Sequence, residues 1–239
     1  MIDFSQILFS FLVSLCLLFS FDTYGQTSEN ERLSASNAIQ DALSGLDAAA
    51  LSEGLPIVLN DDSTDPETRF TNAYNLIFYI SSPEEAEALA LTVVYPFVQK
   101  TWKSQSEQLS HLARLYLLAG FCHRERGGDD RDEKERLFVE KALETAKKSE
   151  DNAVCARCCT ACAFMEIKRG DVKKAHEYLY QAIDCYDKMG AYVKSSEMLY
   201  VIVSNFFEIK DTDGMQRVLQ QMEEYLEKEA SKQSLYQYN

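Results

Sequence analysis

A single glycine at position 170, set between two stretches of helix-compatible residues, constrains this chain more than any other feature. Upstream lies NAVCARCCTACAFMEIKR, where small and apolar residues recur at helical spacing. Downstream lies VKKAHEYLYQAIDCYDK, amphipathic, with small residues at Ala175 and Ala182. Gly170-Asp171 between them reads as a helix stop followed at once by a helix start. Two helices joined by so short a turn fold back antiparallel, and small residues at their contact let the backbones approach.

The same punctuation recurs. Asp65-Pro66 predicts an N-cap with Pro at the first helical position, and that helix runs to about Ile80. Ser82-Pro83-Glu84-Glu85 starts the next in the same manner, and Pro96 is expected to kink or split it before Trp102. Further helices are expected over residues 106–126, 132–149, 151–169, 171–189, 191–210 and 213–229, with Gly127-Gly128, Gly170 and Gly214 at three of the turns. Phe78, Phe121, Phe164 and Phe207 follow one another at intervals of 43 residues. Gly120, Ala163 and Phe206 share that register, as do Arg114, Arg157 and Tyr200, and Gly127, Gly170 and Asp213. Only nine Gly and four Pro leave few places for hairpins or long loops. The fold class implied is all-α, built of antiparallel helix pairs.

Residues 156–189 resemble one unit of the tetratricopeptide-repeat family. Cys159 stands at the first aromatic place of helix A, Cys162-Ala163 at its leucine-glycine pair, and Gly170 at the turn; Ala175 and Ala182 take the alanine places of helix B. Residues 113–146 are similar, through Tyr116, Ala119-Gly120, His123, Gly127 and Ala142. Glu166 departs from the pattern at the second aromatic place, and Phe206 at a glycine place. The 43-residue interval also exceeds the family's 34, so longer helical repeats such as HEAT units are the alternative. What the resemblance implies is a right-handed solenoid of stacked helix pairs, whose A helices line a concave groove that takes a peptide or a partner's helix.

The N-terminus bears on compartment. Residues 4–21 read FSQILFSFLVSLCLLFSF, and Thr23-Tyr24-Gly25 offers small residues at a cleavage site before Gln26. This is the layout of a secretory signal peptide, although no Lys or Arg precedes the apolar run. An uncleaved anchor of about 18 residues is the alternative. Lipid attachment at Cys16 is disfavoured by Leu15, which stands where a small residue is wanted. The expected organisation is a signal peptide or anchor over 1–25, a polar Ala-rich lead-in over 26–64, a helical-repeat domain over 65–230 and a tail over 231–239. In the lead-in, Ser34 or Ser36 would cap a helix to about Ala50, with Gly54, Pro56 and Asn60-Asp61-Asp62 breaking the pattern. The expected location is periplasmic or exported, with residues 4–21 as a membrane tether if uncleaved.

Cys155-x-x-Cys158-Cys159-x-x-Cys162 invites a metal or redox reading. The run Ala153–Lys168 contains neither Gly nor Pro, so four thiolates cannot easily converge from one straight helix. Cysteine as a small apolar filler is the simpler account, and no metal or cofactor is expected. Export favours paired cysteines, and Cys159 and Cys185 could approach in an antiparallel pair. His111, His123 and His176 are scattered, and His123-Arg124-Glu125-Arg126 reads as a helix C-terminus. No nucleophile elbow, phosphate-binding glycine loop or dinucleotide fingerprint occurs, so no enzyme activity is expected. A formal charge of −14 without a basic run argues against nucleic acid.

The resemblance maps a partner-binding face onto Arg114, Leu117, Phe121 and Arg124 in one unit and Arg157, Thr160, Phe164 and Lys168 in the next. Arg and Phe at matching places would suit a segment with carboxylates and an apolar anchor; packing of Phe121 and Phe164 between neighbouring helices is the competing reading. The function expected is a non-enzymatic exported scaffold for a protein or peptide partner. The alternative is the extracytoplasmic input part of a membrane signalling protein, such as a histidine kinase or helix-turn-helix regulator. A thiol-dependent metal or redox protein is the third.

Overall fold

Short polar side chains start most of these helices, and left-handed residues stop four of them. The computed structural model describes residues 48–80 and 82–237, with side-chain detail from residue 53 to residue 231 apart from Ser81. The expected leader over 1–25 and the caps at Ser34 or Ser36 lie outside the described residues. Nine helices follow among those described: α1 (Ala48–Leu59), α2 (Pro66–Phe78), α3, α4 (Gln105–Arg126), α5 (Arg131–Ser149), α6 (Asn152–Arg169), α7 (Val172–Lys188), α8 (Tyr192–Glu208) and α9 (Thr212–Gln237). Helix α3 is continuous through Pro83–Leu89, a π turn at Ala90–Val94, and Tyr95–Thr101. The described residues contain no strand and no helix long and apolar enough to cross a membrane.

The N-caps follow the expected chemistry. Asp65 accepts from the Thr68 N–H at 3.0 Å, Ser82 from that of Glu85 at 3.2 Å, and Asp171 from that of Lys174 at 3.1 Å. At the other ends, Gly170 adopts φ 81°, and the Asp171 N–H donates to the Glu166 carbonyl at 2.9 Å, closing a Schellman turn. The same closure recurs from Ala191 to Tyr186 and from Asp211 to Phe206, around Gly190 and Lys210. With Glu150 (φ 60°), the left-handed residues fall at 150, 170, 190 and 210. From α6 onward each helix and its turn therefore occupy 20 residues.

That spacing revises the repeat register. The buried positions of α4 recur in α6 at 43 residues: Ala113, Leu118, Ala119 and Cys122 become Ala156, Ala161, Cys162 and Met165. From α6 to α8 the interval is 40: Cys158, Cys159, Ala161 and Cys162 become Met198, Leu199, Val201 and Ile202. The longer first interval reflects the four-residue link Gly127–Asp130, against the two residues Gly170-Asp171, and the greater length of α5 (19 residues) over α7 (17). Phe207 therefore does not stand where Phe164 does; Ser204 takes that place, and Phe207 is exposed near the end of α8.

Packing is closest within the hairpins α4/α5, α6/α7 and α8/α9; α5 with α6 and α7 with α8 join one hairpin to the next. Gly120 permits close approach of α4 and α5, since a Cβ there would lie 3.2 Å from Val139 Cγ2. Arg126 donates to the Phe78 and Ile80 carbonyls, satisfying the end of α2.

Three local expectations change. The split at Pro96 is replaced by the π turn just before it, where the Tyr95 N–H reaches back to the Ala90 carbonyl. Widening the helix there accommodates a ring that lacks an N–H and crowds the preceding turn. The break at Gly54 and Pro56 is absent, because α1 carries both and buries Leu55 and Leu59. Burial of those leucines outweighs weak local propensity. Finally, α9 continues past residue 229 to Gln237.

Candidate functional site

The residues mapped as a binding face lie on α4 and α6, and most are engaged within the domain. Arg114 bonds Glu67 Oε1 of α2 at 2.6 Å and lies 4.4 Å over the Phe70 ring. The Glu67 carboxyl is held down to about 2, first by its hydrogen bond with His111 Nε2 at 2.9 Å, against partial burial, and then by Arg114. Leu117 is buried. Phe121 is half-buried under Arg124, whose guanidinium reaches Glu125 at 2.8 Å and Glu135 at 3.8 Å. In α6, Arg157 is half-buried within electrostatic reach of Tyr74 and Tyr186, whose phenols burial pushes up to about 12. Thr160 is buried, donating to the Ala156 carbonyl at 2.9 Å and touching Met198 Sδ of α8 at 3.5 Å. Phe164 is half-buried, and Lys168 pairs with Asp132 at 2.7 Å.

A second face was not singled out from the sequence. Val193, Tyr200 and Phe207 are exposed at seven-residue spacing along α8, and Leu219 and Leu226 repeat that spacing on α9. The counterparts of three of them, 40 residues earlier, show why this matters. Thr160 is 8% exposed, Leu179 0% and Tyr186 8%, whereas Tyr200, Leu219 and Leu226 are 60%, 43% and 59% exposed. In the earlier hairpin these places lie against the following hairpin, as the Thr160–Met198 contact shows. In α8/α9 nothing described covers them. The heptad spacing was visible in the sequence, but it also fits a core stripe.

The cysteines diverge. Cys158 is within electrostatic reach of Tyr74, and Cys162 of Tyr178 and Glu140. Cys155 instead lies in one cleft with Cys159, one turn on, and Cys185 on α7. Hydrogen bonding with these thiols, Cys159 first, holds the Cys155 thiol down to about 6 against partial burial, with Lys147 and Lys188 contributing. Cys185 is pushed up to about 12 by burial and by donating to Cys155; Cys159 is raised further, first by its bond to Cys155. All six described cysteines are free; Cys159 and Cys185 do approach, lining one cleft, and Cys155 joins them there. Among the described residues, no group of three or more His, Cys, Asp and Glu side chains could hold a metal ion.

His123 lies in the last turn of α4, as its neighbours implied. It is also fully buried, bonded to Glu87 at 3.0 Å and stacked on Phe138. Comparison with protein-family models, curated proteins and solved structures finds no match to this chain in any of the three. The assignment rests on architecture. The described residues form an all-α domain of paired antiparallel helices.

Proposed function

We propose that this protein is a non-enzymatic helical-repeat scaffold that binds an amphipathic helix of a partner protein. The observation that carries this is the α8/α9 face, which exposes apolar side chains at places the preceding hairpin buries under its neighbour. The seating of α8 on α6/α7 is the template, because the uncovered positions repeat those that α8/α9 covers. Over residues 192–231, Asp and Glu outnumber Lys and Arg eight to four, so the helix that fits is flanked by basic residues. The half-buried Phe121, Arg157 and Phe164 of the α4/α6 face remain a second edge for the same partner.

The test uses a synthetic amphipathic helix of Leu and Lys, with its Leu/Glu counterpart as control. The Leu/Lys helix is expected to bind at about 10 μM, and the Leu/Glu helix at least about tenfold more weakly. Tyr200→Ala with Leu226→Ala alters no charge and should weaken binding by a further tenfold or so. Unchanged binding in that double variant defeats the proposal. Concentration-dependent dimerisation abolished by the same two substitutions would make a second copy the occupant and overturn a partner helix.

A further inference from the structure

The cleft between the end of α5, the first turns of α6 and the end of α7 carries an inference independent of the interaction face. It has a volume of about 250 Å³ and is lined by Cys155, Cys159 and Cys185. We propose that it is a thiol–disulfide exchange site for small dialkyl disulfides, with Cys155 as nucleophile and Cys185 as resolving thiol.

Three observations place the roles. Cys155 is the only half-buried thiol among the six described, and it sits in the first turns of α6, where the helix dipole favours an anion. It faces the cleft, beside the other two thiols. Cys159 is a poor resolving group despite that proximity. Residues four apart on a helix hold their Cβ atoms about 5–6 Å apart, and a disulfide requires about 3.8 Å. Closing that pair would unwind α6. Cys185 comes from a different helix and carries no such restriction.

The charges facing Cys155 come from each neighbouring element. Lys147 and Glu150 lie at the end of α5, Asp151 caps α6, and Asp184 and Lys188 stand on α7, paired at 2.7 Å. Lys147 also bonds Gln181 at 3.3 Å across the cleft. Carboxylates outnumber ammonium groups in this set, so the thiolate owes its stability mainly to the two S–H donors. The volume lies below that of ordinary ligand pockets, which suits a small disulfide.

The reaction balances without a metal or cofactor. The Cys155 thiolate attacks one sulfur of RS–SR, the S–S bond breaks, and RS⁻ leaves and takes a proton from solvent. Cys185 then loses its proton to solvent and attacks Sγ of Cys155. The second RS⁻ departs and is protonated. Two protein thiols and one RSSR become one protein disulfide and two RSH.

Bis(2-hydroxyethyl) disulfide at pH 7 is the probe, read by mass spectrometry of tryptic peptides. Cleavage after Lys148, Arg157, Lys168, Lys174 and Lys188 separates the three thiols into peptides 149–157, 158–168 and 175–188. The expected product links 149–157 to 175–188. Cys185→Ser should instead accumulate the mixed disulfide on Cys155, and Cys155→Ser should leave Cys185 unmodified. Alkylation of Cys155 by iodoacetamide should rise with a midpoint near pH 6, moving upward by about one unit in Cys185→Ala, which leaves no donor at that place. Unchanged far-UV circular dichroism in all three variants separates loss of chemistry from loss of fold. First modification at another cysteine, or no adduct, overturns the site; a 149–157/158–168 link overturns the role of Cys185.

Discussion

The hairpins α6/α7 and α8/α9 bury equivalent inner positions, yet three outer places that the first buries the second displays. Leu179 and Leu219 occupy equivalent places 40 residues apart; the first is fully buried and the second 43% exposed. Tyr186 and Leu226 differ in the same sense. The hairpin after α7 covers the first set, and nothing described covers the second. An amphipathic stripe thus specifies that a helix presents an apolar face, while the next element decides whether that face is core or surface. This separates a position's contribution to folding from its availability for binding.

The largest effect should appear where the equivalent leucines are shortened. Leu179→Ala removes a fully buried side chain and leaves a cavity, at a cost of about 3 kcal/mol. Leu219→Ala should cost about 0.5 kcal/mol, because much of its side chain is already in water. Urea titration of both variants provides the measurement. Equal losses would mean that Leu219 is covered in solution, and the distinction between the two hairpins would fail.

A smaller effect should separate the turns. Gly170 and Lys210 both terminate helices in the left-handed region, at φ 81° and 58°. A Cβ at Gly170 would meet nothing within 4 Å, so Gly170→Ala reports backbone strain alone and should destabilise by about 1 kcal/mol. Lys210→Gly should stabilise by about 0.5 kcal/mol, the relief of strain being partly offset by greater freedom in the unfolded chain. Thermal melts of the two variants should move in opposite directions. A shared direction would show that the turns are not equivalent.

What the sequence made legible follows the range of the interactions concerned. Asp65-Pro66, Ser82-Pro83 and Gly170 announce helix boundaries because each acts within a turn of itself, and the structure places those boundaries within about two residues of expectation. Glu150 and Lys210 end helices in the same conformation without a glycine to mark them, so the 20-residue spacing stayed hidden behind a 43-residue one. Pro56 read as a breaker because its leucine neighbours are anchored by a different helix. At the candidate sites the same division holds. Arg114 suggested an open basic face, but its partner Glu67 lies 47 residues away. The approach of Cys185 to Cys159 was legible from antiparallel pairing, but the third thiol in the cleft, Cys155 one turn earlier, was not.

The smallest effect concerns how neighbouring hairpins are joined. Helix α6 meets α8 through Thr160 and Met198, whereas α2 meets α4 through Glu67, His111 and Arg114. Of these two helix contacts, only the second contains a carboxylate. The Glu67 pKa is about 2 in the folded chain against an ordinary value of 4.5, so its contribution is fully present above that ordinary value. It is lost as pH falls through 2, where the folded state too takes up the proton. With Glu67 39% exposed, solvent screening limits the contribution to about 0.5 kcal/mol. Glu67→Gln should therefore lower stability by about that amount at pH 6, and the gap to the parent protein should close as pH approaches 2. Denaturant titrations of both proteins at pH 6, 4 and 2.5 provide the check. A gap that persists at the lowest pH would mean that Glu67 acts by packing, and the two junctions would then be alike in kind.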